Sequence, residues 1–163
     1  DKACASAHKL GGPKGIGCLM VQPGIETSTQ IKGGGQEMGR RAGTENIIGI
    51  AGFGAAAEAA SSEFELIQSA TGLIQQLVTE NWSRPPSARN GMRAIIQIKM
   101  LPTGELVDVI ITQSSGDPAF DRSAENAVYR AAPFAELTAL PIRVFNQNFR
   151  TLSLIFQPED LLN

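Results

Sequence analysis

The last 93 residues of this 163-residue sequence, 71–163, predict an α+β fold: a three-stranded antiparallel sheet with helices packed on one face. Three features carry the prediction. Two runs of alternating apolar residues flank a short Pro-Thr-Gly turn, a third alternating run lies near the end, and stretches with helical apolar spacing stand between and before them. The first 60 residues read differently. Of 17 glycines, 13 fall there, whereas seven of nine prolines fall in the remaining 103 residues. The chain therefore divides into a glycine-rich segment, 1–60, a join, 61–70, and the α+β domain, 71–163.

Leu66, Ala70, Leu73, Ile74, Leu77, Val78 and Trp82 form one stripe of an amphipathic helix that runs from the join into the domain. Ser69 or Thr71 is placed to cap its start, and Pro85-Pro86 stops it. Asn90-Gly91 marks a turn. From Met92 to Leu101 the pattern alternates, with Ile96, Ile98 and Met100 on one face against Gln97 and Lys99. Pro102-Thr103-Gly104-Glu105 turns the chain, and 106–113 alternates again, Val107, Val109 and Ile111 opposing Asp108 and Thr112. The two runs make an antiparallel hairpin with one buried face.

Gly116-Asp117-Pro118 breaks that strand. Asp121 is placed to cap a helix whose inner face is Ala124, Ala127, Val128 and Ala131, ending before Pro133. A short helical turn from Phe134 to Leu140 closes at Pro141, and Leu152, Leu154 and Phe156 alternate with Ser153 and Ile155 in a third strand before Pro158.

Composition narrows the function. Apolar residues make up 42%, charged residues 18%, and the net charge is −2, a globular balance too weakly charged to hold nucleic acid by electrostatics alone. No apolar run approaches the roughly 18 residues that span a bilayer, so no direct membrane insertion is expected. The domain carries no histidine and no cysteine, and its acids lack paired-ligand spacing, so neither a metal nor a catalytic residue is expected in it. Arg84, Arg89 and Arg93 read as a solvated proline-rich loop, Asp117 and Asp121 as caps and turns, and Ser114-Ser115 as a strand end. What remains is the sheet edge. The run Leu152, Ser153, Leu154, Ile155 and Phe156 is expected to be an edge that accepts an extra strand from a partner through main-chain hydrogen bonds.

Over these residues the chain resembles a known family. Asn81-Trp82-Ser83-Arg84-Pro85-Pro86, Met100-Leu101-Pro102-Thr103-Gly104, Ser114-Ser115-Gly116-Asp117-Pro118-Ala119-Phe120-Asp121 and Phe156-Gln157-Pro158-Glu159-Asp160-Leu161 are similar to the C-terminal periplasmic domain of bacterial TolA, and more loosely to the TonB C-terminal fold. The resemblance implies a non-catalytic protein-interaction domain of the Tol–Pal envelope system. It implies a periplasmic location, TolB-type partners, and exploitation by colicins and filamentous-phage coat proteins. The disulfide of some family members has no counterpart here.

The front segment resembles a different family. Ser6-Ala7-His8-Lys9-Leu10-Gly11-Gly12-Pro13-Lys14-Gly15-Ile16-Gly17 and Gly33-Gly34-Gly35-Gln36-Glu37-Met38-Gly39-Arg40-Arg41-Ala42-Gly43-Thr44-Glu45-Asn46 are similar to two signatures of NifS/IscS-type cysteine desulfurases, cytoplasmic-type enzymes that use pyridoxal phosphate. The resemblance implies that Lys9 carries the Schiff base, that Ser6 and His8 lie near the phosphate, and that Thr44 reaches a phosphate from a partner subunit. It also calls for an aspartate, a ring-stacking histidine and a catalytic cysteine that the segment does not contain, so no bound cofactor and no catalysis are expected; a desulfurase fragment is the alternative reading. The segment reads as helix from Ile47 to Ala60 and as strand at Gly17–Val21 and 30–32. A disulfide between Cys4 and Cys18 is open. Cut from its large domain, residues 1–60 are expected to self-associate.

The join contains Glu63-Phe64 and Glu65-Leu66, which the restriction sites GAATTC and GAGCTC encode in frame. Residues 61–70 are therefore expected to be a linker left by fusing two sequences.

Overall fold

The computed structural model describes residues 1–161; Leu162 and Asn163, the end of the predicted domain, lie outside the described residues. The chain falls into two compact units, Asp1–Phe64 and Glu65–Asn163.

The second unit is α+β. Strands β3 (Ala94–Met100), β4 (Leu106–Gln113) and β5 (Thr151–Phe156) form an antiparallel sheet in the order β4-β3-β5. The inner face of β3 is Ala94, Ile96, Ile98 and Met100, each at most 3% exposed, as period-two alternation requires. Helix α2 (Pro118–Ala131) covers that face with Phe120, Ala124, Ala127, Val128 and Ala131. Helix α3 (Ile142–Asn148) adds Val144 and Phe145, and the last turns of α1 (Ile47–Glu80) add Ile74 and Val78. Each of the larger of these side chains, the Ile, Val, Met and Phe residues, contributes on the order of 1.5–3 kcal/mol on burial.

Four details differ from the sequence reading. The first is in β4, whose pairing with β3 slips twice. Register passes from Ile95↔Gln113 to Ile96↔Ile111, and from Lys99↔Asp108 to Met100↔Leu106. Thr112 and Val107 are the extra residues of two bulges. Val107 is consequently 61% exposed, and Leu106 packs on the core with Val109 and Ile111 instead.

The second difference is the cap of α2. Asp117 caps it, accepting a hydrogen bond from Ala119 N at 2.8 Å, with Pro118 at the first helical position. Asp121 lies in the first turn, buried, and accepts hydrogen bonds from Ser114 Oγ, Ser115 N and Ser115 Oγ. The third is α3, which the sequence reading lacks: Pro141 stands at its N-cap position rather than merely ending the turn before it.

The fourth is α1. It runs unbroken for 34 residues, so neither Ser69 nor Thr71 caps its start, and the 61–70 join is helical. The reason is local: 55–70 contains no glycine or proline and is rich in alanine and glutamate, both good helix formers. A change in composition is not a change in secondary structure.

In the first unit, β1 (Lys2–Ser6) pairs antiparallel with β2 (Gly17–Val21). The predicted strand at 30–32 is irregular chain instead. Alanines 7 and 42 are the buried apolar residues here, while Met38, Ile47 and Ile48 stand more than 70% exposed. Pro13 lies so close to α1 that a Cβ at Gly52 would meet its ring at 2.9 Å.

Candidate functional site

Strand β5 is an edge strand, and its main chain divides cleanly. The 94↔156 to 99↔151 register with β3 continues one step further through Met100 N donating to Arg150 O at 3.1 Å. In an antiparallel ladder hydrogen-bonded and non-hydrogen-bonded pairs alternate. Counting from that bond, Leu152, Leu154 and Phe156 exchange hydrogen bonds with β3. The N–H and C=O groups of Thr151, Ser153 and Ile155 point away from it, toward the open edge.

The two edges of this sheet are not alike. The β4 edge carries both bulges, which twist and interrupt a strand's outward ladder. The β5 pairing is regular over six consecutive residues. Regular outward-facing groups repeat at the spacing another strand needs.

Beside β5 runs a groove of about 440 Å³, lined by residues 153–157 and by Gln75, Val78, Thr79 and Trp82. The latter four stand at i, i+3, i+4 and i+7, one face of the last turns of α1 and the turn after it. No lining side chain is ionisable. Trp82 anchors the floor. It is 6% exposed, its indole Nε1 donates to Ser123 Oγ at 3.0 Å, and its ring meets Phe156 and Phe120 edge to face. Beyond β5, Glu159 Oε1 accepts from Gly91 N at 3.0 Å and ties the chain's exit to the loop that follows Trp82.

The predicted edge residues Leu152, Ser153, Leu154, Ile155 and Phe156 thus fall on one strand, joined by Thr151, which the sequence reading left out. It also left the groove unread. Val78 and Trp82 belong to the apolar stripe, but Gln75 and Thr79 are polar, and no periodicity tells which strand a helix face meets.

The other polar groups singled out in the sequence lie outside the groove. Arg84 Nη2 donates to Ala88 O at 3.3 Å within its own loop, and Arg89 and Arg93 are exposed. Hydrogen bonds donated by the Ser87 side chain and by the Ala119 and Phe120 amides hold the Asp117 carboxyl below the ordinary carboxylate range. Burial pushes the Asp121 carboxyl up, but hydrogen bonds from Ser114 and Ser115 outweigh it and leave the group lowered. Among the described residues no group of three or more His, Cys, Asp or Glu is placed to hold a metal ion.

In the first unit, Ser6 ends β1 half-buried, His8 and Lys9 lie exposed in a 3-10 turn over Ala7–Leu10, and Thr44 is exposed before α1. A Schiff-base lysine must be held against a cofactor ring and partly desolvated. Here Lys9, His8 and Thr44 are all open to solvent, so Lys9 is not desolvated within this segment. Cys4 and Cys18 are free thiols, both exposed. In the β1–β2 register Cys4 pairs with Leu19 and Cys18 with Ala5. Paired residues share a face and successive ones alternate, so the two thiols face opposite ways and do not form the disulfide left open above.

Comparison with known proteins assigns both parts. The family model described as TonB C terminal matches residues 71–147, and the Aminotransferase class-V model matches 1–94. The Tol-Pal system protein TolA of Pseudomonas aeruginosa is 43% identical over 97 residues, covering 60% of this chain and 28% of that protein. A cysteine desulfurase of Klebsiella pneumoniae is 56% identical over 61 residues, 37% of this chain and 15% of that protein; one from Bradyrhizobium diazoefficiens is 55% identical over 65 residues, 40% and 16%. The chain therefore spans only a minor part of each of these relatives. Among solved structures, an NMR structure of TolAIII bound to a peptide derived from the N-terminus of TolB is 44% identical, with a TM-score of 0.51, covering 55% of this chain and 73% of that one. The chain thus belongs to the class-V aminotransferase family through its front segment, which is similar to cysteine desulfurases, while its α+β unit is a TonB C-terminal-type domain like that of TolAIII.

Proposed function

We propose that the second unit is a non-catalytic protein-interaction domain of the Tol–Pal type, and that it takes an extended segment of a TolB-type partner as a fourth strand along β5. The observation that carries this is the regular open edge of β5, with three outward-facing main-chain pairs beside an unoccluded groove. That TolAIII, 44% identical, is solved with a TolB-derived peptide supports the choice of partner. Colicins and filamentous-phage coat proteins are further candidates for the same edge. A periplasmic working location follows from the TolA relationship. No helix among the described residues is long and apolar enough to cross a membrane. The desulfurase fragment contributes no chemistry in this reading, because Lys9 lies open to solvent. Residues 1–60 offer a surface for self-association through exposed Met38, Ile47 and Ile48. We read the join at 61–70 as the product of fusion; a natural transcript encoding both parts without interruption contradicts it.

Ser153→Pro tests the edge. Its N–H faces away from β3, so proline removes an outward donor and adds ring bulk there without breaking the ladder. Binding of a TolB N-terminal peptide, followed by calorimetry, falls at least about tenfold, a loss of about 1.4 kcal/mol, with the fold intact by circular dichroism. Unchanged affinity in a folded variant contradicts strand addition at β5.

A further inference from the structure

We infer that the β5 edge selects its partner by an uncharged, alternating side-chain pattern: every second residue of the docked segment is apolar and enters the groove beside Trp82. This rests on the strand-addition reading above and adds what the groove would recognise. A fourth strand hydrogen-bonded to Thr151, Ser153 and Ile155 sends its side chains alternately to the two faces of the sheet. On the outer face they meet Ser153 and Ile155, which are exposed. On the inner face they enter the space between β5 and α1, where Leu154 and Phe156 are 7% and 3% exposed and Val78 and Trp82 supply the opposite wall.

That space sets the chemistry. Its polar lining, Gln75 and Thr79 on the helix and Gln157 at the strand end, is uncharged. A lysine or glutamate carried inward loses water and gains no counter-charge, which is unfavourable wherever a charge is buried unpaired. The outer positions face solvent and tolerate either. Because no ionisable side chain lines the groove, attraction to the segment owes little to charge and is insensitive to salt. About 440 Å³ admits side chains of Val or Leu size at adjacent inward positions.

The test is a lysine scan of the TolB N-terminal peptide against the full chain, by calorimetry at about 0.05 and 0.5 M salt. The expected result is a loss of about tenfold or more at every second position of the docked segment, little change at the positions between, and less than about twofold change with salt. A uniform loss, a spacing of three to four residues, or a strong salt dependence overturns the inference. The Ser153→Pro chain separates the two readings. If it abolishes binding while the scan shows no alternation, strand addition stands and side-chain selection fails. If it binds every peptide as the parent does, or if the unsubstituted peptide does not bind the parent, both fail.

Discussion

The Trp82 and Phe156 rings meet edge to face, with centroids 5.1 Å apart and planes at 85°. This contact joins the turn after α1 to the last residue of the edge strand. It fixes the groove's floor to its wall, and it places the chain's single tryptophan beside the proposed docking edge.

Trp82→Ala removes a buried aromatic held by two ring contacts and a hydrogen bond. It is expected to cost roughly 3–5 kcal/mol in urea unfolding followed by circular dichroism. Trp82→Phe keeps most of the apolar contact but leaves Ser123 without its indole donor, and costs about 1 kcal/mol. In the parent chain, a peptide docked at β5 shifts tryptophan emission.

The lowered Asp121 carboxyl gives a pH dependence with a definite sign. Its folded-state pKa lies below the unfolded value, so its contribution is present above that unfolded value, about 4, and is lost as pH falls through the folded one. Asp121→Asn is accordingly less stable than the parent at neutral pH, and the gap narrows as pH drops below about 4. Chemical denaturation at a series of pH values measures it; a gap that widens in acid contradicts the assignment.

Gly104 holds the β3–β4 turn against the loop after α2. Its φ is +81°, a Cβ there would lie 2.1 Å from Phe134 O, and its own carbonyl accepts from Phe134 N at 2.9 Å. Both the left-handed conformation and the close approach demand glycine. Gly104→Ala is expected to cost more than about 1 kcal/mol, read as a lowered urea midpoint.

The two thiols make a separable prediction for the first unit. With Cys4 and Cys18 on opposite faces of the β1–β2 hairpin, mild oxidation yields cross-linked copies on a non-reducing gel, not an intrachain bridge. Monomer with both thiols consumed in one internal disulfide contradicts that register.

Much of the second unit was legible in sequence because period two and period 3.6 survive wherever one face is buried. Ile96, Ile98 and Met100 gave β3, and Ala124, Ala127, Val128 and Ala131 gave the inner face of α2. What failed was local accounting of single residues. Alternation alone cannot register that Val107 and Thr112 are bulged, because the bulge is decided by the partner strand. Asp117 and Asp121 compete for one cap, and the choice depends on Ser114 and Ser115 drawing Asp121 inward. The edge strand itself was visible, but the helix face that walls its groove was not, since Gln75 and Thr79 bear no apolar signal.

We propose that β5 is where a partner strand adds. Amide hydrogen exchange of the full chain, with and without the TolB N-terminal peptide, tests it most directly. The outward amides of Thr151, Ser153 and Ile155 are expected to become protected, while the bulged β4 amides stay as they were. Protection confined to β4 or to residues 1–60, with these three unchanged under saturating peptide, contradicts it.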